Sequence, residues 1–209
     1  MNIKENVKEA LIIVLVAIVL ALAVGYKEQS IIYAALASFL IILGVNVLVK
    51  KAVGYHFETA VRTKLWTWYQ FGLRTDMHFK KPIPMIWLPL ILTLFTKGFF
   101  LWLGILEFDV VAKTERVAKR HGLYRFSEVT EWHMAWIAIW AIAANLILAI
   151  IGYVAGFELS TKLSIYFIFW STLPIARLDG SKIFYASKGL WAVIFTVATI
   201  LLIWSLRII

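Results

Sequence analysis

Asp179 is the residue with the clearest capacity for chemistry, because it closes an apolar run in Leu173-Pro174-Ile175-Ala176-Arg177-Leu178-Asp179-Gly180-Ser181-Lys182. A carboxylate at the centre of a bilayer costs roughly 3 kcal/mol on insertion scales, so an acid in a membrane segment has a function or an ionic partner. A structural role is also open to it. Arg177 and Lys182 flank the acid, and Asp followed by Gly is ordinary turn chemistry at a helix end.

The other reactive side chains form no complete set. There is no cysteine, which excludes disulfides and thiolate metal sites. The histidines are His56, His78, His121 and His133, and none has a second histidine four residues away. A carboxylate and imidazole cluster around Asp179 could draw on His56 with Glu58, or on His133 with Glu131. The competing reading makes these interfacial side chains, with His133 anchored beside Trp132 and Trp136. There is no Gly-x-Ser-x-Gly elbow, and Ser181 beside Lys182 would point in another direction along a helix.

The elements that must position Asp179 are membrane segments. Hydrophobic residues make up 62% of the 209 and charged residues 16%, outside the usual globular balance. A spanning helix needs about 20 apolar residues, and helices are expected near 10–26, 31–49, 134–157, 163–185 and 190–206, the fourth interrupted by Pro174. The fold class is therefore a mostly α membrane protein, one polytopic domain over 1–209 with about five transmembrane helices, or six if 83–106 spans. No small-residue cleavage site follows the first helix, so it is expected to be retained. The formal charge of +9 fits an excess of Lys and Arg in cytoplasmic loops and not nucleic-acid binding.

Orientation decides how 83–106 is read. If it spanned, the basic loops 50–82 and 107–132 would lie on opposite sides, against the positive-inside rule. If it enters and leaves on one side, a cytoplasmic amino terminus places every Lys and Arg inside except Lys27, Lys162 and Arg207. Pro82, Pro84, Pro89 and the Lys97-Gly98 pair also favour an interrupted element. A re-entrant or strand-containing region is thus expected over 83–111, where Leu106-Glu107-Phe108-Asp109-Val110 alternates as a strand does. The chain is expected in the cell membrane, with the lipid bilayer as its first partner.

A second strand is expected over 55–66. His56, Glu58, Arg62 and Lys64 fall on one face and Phe57, Val61 and Leu65 on the other, the pattern of a half-buried strand at the membrane surface. Trp66, Trp68 and Tyr69 after it suit the headgroup belt. Its edge could pair with an extended segment of a transmembrane protein, which needs only backbone groups.

The order of these features resembles the site-2 protease family of intramembrane zinc metalloproteases, over about Ile31 to Lys188. Leu178-Asp179-Gly180 matches that family's Leu-Asp-Gly motif, and Leu173-Pro174-Ile175 the Leu-Pro before it. Asn145 matches the Asn of its Gly-Pro-x-x-Asn motif, although the Gly-Pro reads Ala141-Ile142 here. Lys50-Lys51 with Gly54-Tyr55 resembles the basic stretch after its HExxH helix. In the family, HExxH supplies two His ligands and the catalytic Glu, and the Asp is the third zinc ligand. Counting back from Lys50 places HExxH at Ile41-Ile42-Leu43-Gly44-Val45, which has neither His nor Glu. Catalytic zinc needs three protein ligands and a water beside a general base.

The resemblance then implies a pseudoprotease: a multi-pass membrane protein without zinc-dependent proteolysis, with no catalytic residue and no cofactor, that binds or scaffolds a transmembrane partner. Asp179 is expected to be structural, paired with Arg177, Lys182 or helix-terminal amides. If positions 41 and 45 face Asp179, replacing Ile41, Ile42 and Val45 by His, Glu and His would rebuild the motif. Two alternatives stay open. One is an active intramembrane metalloprotease with an unconventional ligand set that includes Asp179. The other is a structural subunit of a larger membrane complex.

Overall fold

A computed structural model describes residues 3–70, 78–113 and 129–208. Among the described residues, four helices are long and apolar enough to cross a membrane: Glu5–Val24, Gln29–His56, Glu131–Val154 and Lys188–Arg207. In element bounds these are α1 (Ile3–Val24), α2 (Ile32–His56, entered through a 3-10 turn at Gln29–Ile31), α4 (Glu131–Val154) and α7 (Lys188–Ile208). Between them lie β1 (Thr59–Leu65), β2 (Thr67–Gln70), β3 (His78–Pro84), α3 (Leu88–Phe95), β4 (Leu106–Ala112), α5 (Glu158–Thr172) and α6 (Asp179–Ala186).

The expected helix over 163–185 is two helices. α5 stops at Thr172 because Leu173 turns extended ahead of Pro174, which cannot supply an amide to the next turn. The orphan Thr172 carbonyl accepts a hydrogen bond from Trp191 Nε1 at 2.9 Å. Ala176 adopts φ 47 in the break, and α6 begins at Asp179 itself. At 15 residues, α5 is about 22 Å long at 1.5 Å per residue, shorter than a bilayer core.

Two ring contacts fix the directions of the helices. Phe57 meets His133 at 5.2 Å, placing the end of α2 against the start of α4, so the two run antiparallel. Tyr153 meets Trp204 at 5.1 Å, so α4 and α7 end together. α5 runs back along α4, with Thr161 against Gly152 and Ala149. At the start of α4, Thr130 caps the helix, its amide donating to His133 Nδ1 at 3.3 Å.

The segment 83–106 does not span. It leaves β3, climbs through a 3-10 turn (Met85–Trp87) and α3, reverses, and returns as extended chain into β4. Lys97 (φ 51) and Gly98 (φ 77) make the reversal in left-handed backbone, and a side chain on Gly98 would strike the Lys27 methylenes. Lys97 therefore lies at the Lys27 end of the molecule. The expectation that it sits with the basic loops is corrected. Arg74 and the basic run from Arg116 to Arg125, with His121, lie outside the described residues.

The β element is two antiparallel pairs, β1 with β4 and β2 with β3. The strand expected from residue 55 begins only at Thr59, because α2 extends through His56 and Glu58 turns at φ 55. His56 and Glu58 thus precede the strand, while Arg62 and Lys64 do form its exposed face opposite Asp109 and Glu107. Trp66 is no headgroup residue: it is fully buried, stacked on Trp102 at 5.8 Å, which in turn meets Trp170 of α5 at 4.4 Å. This aromatic column ties the returning chain to the helices. Trp68 is partly exposed.

Candidate functional site

α2 presents a buried stripe of Ala35, Ser38, Phe39, Ile42, Leu43, Asn46, Val47, Lys50 and Gly54, spaced at three and four residues as one helix face requires. Of its polar members, Asn46 and Lys50 lie in the half nearest the sheets and Ser38 in the other. Lys50 Nζ lies 2.7 Å from Asp179 Oδ2, both side chains 4% exposed. Asp179 is therefore structural in the sense of being paired, but its partner comes from α2. The expected partners are corrected: Arg177 is exposed, and the Lys182 amine donates to the Phe108 carbonyl.

The expectation that positions 41 and 45 face Asp179 is corrected as well. Ile41 is 52% exposed, and Ile42 and Leu43 pack in the core with Leu20, Ile105 and Phe167. Lys50 is the α2 residue at Asp179, so the i, i+4 pair on that face is Asn46 and Lys50, five residues after the aliphatic pair 41 and 45.

Phe108 of β4 organises the rest of the site. The Lys182 amine sits 3.2 Å from its ring centroid and Lys50 Nζ 4.6 Å, so two ammonium groups lie against one aromatic ring. Burial raises the Glu107 carboxyl above its ordinary value, opposed chiefly by Arg177. Burial also disfavours ionised Asp109, but the Lys64 hydrogen bond and charge prevail and hold its carboxyl below the ordinary value.

The fixed arrangement of Asp179 depends on Gly180. A Cβ there would run into the carbonyl oxygens of Thr172 and Leu173, so α6 can lie against the end of α5 only with glycine at this position. Leu178 is buried and packs beside Gly104, and its carbonyl accepts from Ser181 Oγ at 2.7 Å. Pro174 is exposed in the break. Asn145, the other motif residue, is fully buried in α4 with neither side-chain atom hydrogen-bonded among the described residues. A cavity of about 10 Å³ is lined by Lys50, Ser171, Leu178 and Asp179, and Asp179 Oδ1 has no hydrogen-bond partner among the described residues.

Sequence reasoning missed Glu9. This α1 carboxylate pairs with Lys51 and accepts the Thr63 amide at 3.2 Å, so it covers the edge of β1 that faces away from β4. Antiparallel pairing alternates, so Thr63 turning outward means that its opposite residue Phe108 does too, along with Val110 and Ala112. The second edge of the pair is therefore on β4, where the Phe108 carbonyl accepts from the Lys182 amine and the backbone groups of Val110 and Ala112 point away from β1. The signal for Glu9 was an acid in the second turn of an apolar helix, four residues after Glu5, which the rule applied to Asp179 also covers.

The donors at Asp179 do not suit zinc. A lysine ammonium has no lone pair to offer while it holds the carboxylate, and among the described residues no three His, Asp or Glu side chains converge. His56 ends α2 and is exposed, and His133 caps α4. Comparison with family models, with curated proteins and with solved structures finds no match.

Proposed function

We propose that this chain is a multi-pass membrane protein of site-2-protease-like design that does not cleave and instead holds an extended segment of a transmembrane partner. The Lys50–Asp179 ion pair carries the reading: an ammonium from α2 meets the carboxylate that, by the resemblance, would be the third zinc ligand. One fixed positive charge thus stands opposite the acid where the family uses a metal. The amino terminus is cytoplasmic, α5 and α6 together complete a fifth crossing, and the sheets lie on the cytoplasmic side. The charge distribution supports this, since Lys27, Lys97, Lys162 and Arg207, a minority of the 21 basic residues, lie at the other end from the sheets.

The partner-binding edge is the outward side of β4, not β1. Extended peptides add to an open strand through backbone groups, and the amides of Val110 and Ala112 point away from β1. Val110→Pro deletes one outward amide without removing a bond to β1. A photo-crosslinker at Ala112 in native membranes should capture a membrane polypeptide, and Val110→Pro should abolish capture. Capture that survives Val110→Pro would defeat the strand-addition reading.

Metal analysis tests the loss of proteolysis. The purified chain should carry no stoichiometric zinc, whereas Asn46→His with Val47→Glu and Lys50→His should acquire it together with Asp179. Stoichiometric zinc in the native chain, lost on Asp179→Ala, would return the protein to the metalloproteases.

A further inference from the structure

Three fully or almost fully buried polar side chains on three different helices have no hydrogen-bond partner among the described residues: Asn46 Nδ2, Asn145 Nδ2 and Oδ1, and Ser164 Oγ. Their residues are 1%, 0% and 0% exposed. Isolated amides and hydroxyls in an apolar interior are costly, about 1–3 kcal/mol each on mutational scales, so three together call for a common partner.

The helix offsets place them at one level. From the Phe57–His133 contact, Asn46 lies eleven residues back along α2 and Asn145 twelve residues along antiparallel α4, about 16 and 18 Å at 1.5 Å per residue. From the contact of Thr161 Oγ1 with the Ala149 carbonyl, Ser164 is three residues on and Asn145 four residues back. The third side agrees. Phe167 and Lys50 line one cavity, and Ser164 and Asn46 precede them by three and four residues on parallel helices. α2 packs on α4 and on α5, and α4 on α5, so three mutually packed helices carry the three residues at one level, about one turn below the Lys50–Asp179 pair.

We propose that Asn46, Asn145 and Ser164 form an internal water-binding site in the centre of the helix bundle. The donor and acceptor inventory selects water over an ion. The two Nδ2 groups only donate, Asn145 Oδ1 only accepts, and the serine hydroxyl does either. A cation would face two amide donors and an anion would face the Asn145 oxygen. A water accepts from the amides while donating to Oδ1 and Oγ, which is the three- to four-bond pattern of conserved internal waters, about three bonds each. The site does not depend on zinc having been lost or on any partner.

The chain has four asparagines, Asn2, Asn6, Asn46 and Asn145, so ¹⁵N-asparagine labelling of the full-length protein in micelles gives a tractable side-chain amide spectrum. The Asn46 and Asn145 amides should both show cross-relaxation to a long-lived water. Asn46→Leu and Asn145→Leu should each lower Tm by about 4 °C or more, because each strands the remaining groups. Asn46→Leu, Asn145→Leu and Ser164→Ala together should recover most of that loss. Amides with no water contact, or single leucine variants with unchanged or raised Tm, would overturn the proposal.

Discussion

Two lysine–aspartate pairs in this molecule share their chemistry and differ in their surroundings. Lys50–Asp179 is 2.7 Å long with both side chains 4% exposed, and Lys64–Asp109 is 2.6 Å long with side chains 54% and 39% exposed. Distance alone would rank them equal. Burial makes the difference, because removing one partner inside leaves a charge with neither water nor counter-ion, whereas at the surface water replaces the lost partner. The buried pair joins α2 to α6 across the bundle, and the exposed one only braces a diagonal between neighbouring strands. Chemistry conserved in type can therefore carry architecture in one place and little in another.

The largest expected effect is at the buried pair. Lys50→Met or Asp179→Ala alone should cost about 3–5 kcal/mol of stability, as broken buried pairs do. Lys50→Met with Asp179→Leu should regain most of it, because an apolar pair of similar volume leaves no stranded charge. Unfolding of the single and double variants in one detergent measures this. A double variant as weak as the singles would show that the cluster around Phe108, not the pair itself, holds the site.

Gly180→Ala acts on the same junction through shape. The added methyl meets backbone carbonyls of α5, which cannot swing aside as a flexible side chain could. An overpacked interior costs about 1–3 kcal/mol, and about 2 is expected here. The same change at Gly44, where a Cβ meets nothing, should be neutral or slightly stabilising in its helix. Comparing the two variants separates the junction from a general intolerance of alanine.

Much of this contrast was legible in the residues, and its failures are instructive. Apolar runs located α1, α2, α4 and α7, because length and hydropathy are properties of a segment by itself. Pro174 signalled the break between α5 and α6, yet the apolar residues on both sides invited one helix. The re-entrant path of 83–106 followed from charge balance and proline. Asp179 was conspicuous, but its partner lies 129 positions away at Lys50, and nearest-neighbour reasoning pointed to Arg177 and Lys182. The periodic stripe of α2 carried the missing information: it places Asn46 and Lys50, and not Ile41 and Val45, on the polar part of the buried face. Trp66 misled because a tryptophan suits an interface and a core equally well.

The smallest effect belongs to the exposed pair, and its smallness is the sharpest check on the comparison. Lys64→Ala or Asp109→Ala should cost about 0.5 kcal/mol, since an exposed ion pair gains little over hydration and loses side-chain freedom. Screening should weaken it further, because at 1 M salt the Debye length falls to about 3 Å. The loss should therefore shrink towards zero between low and high salt, while the Lys50→Met loss barely moves. Burial also disfavours ionised Asp109 in the fold, so Lys64→Ala should let its carboxyl titrate at higher pH than in the native chain. Measuring both variants across the same salt series decides the matter: equal losses, or equal salt dependence, would mean that the two pairs are not distinguished by burial.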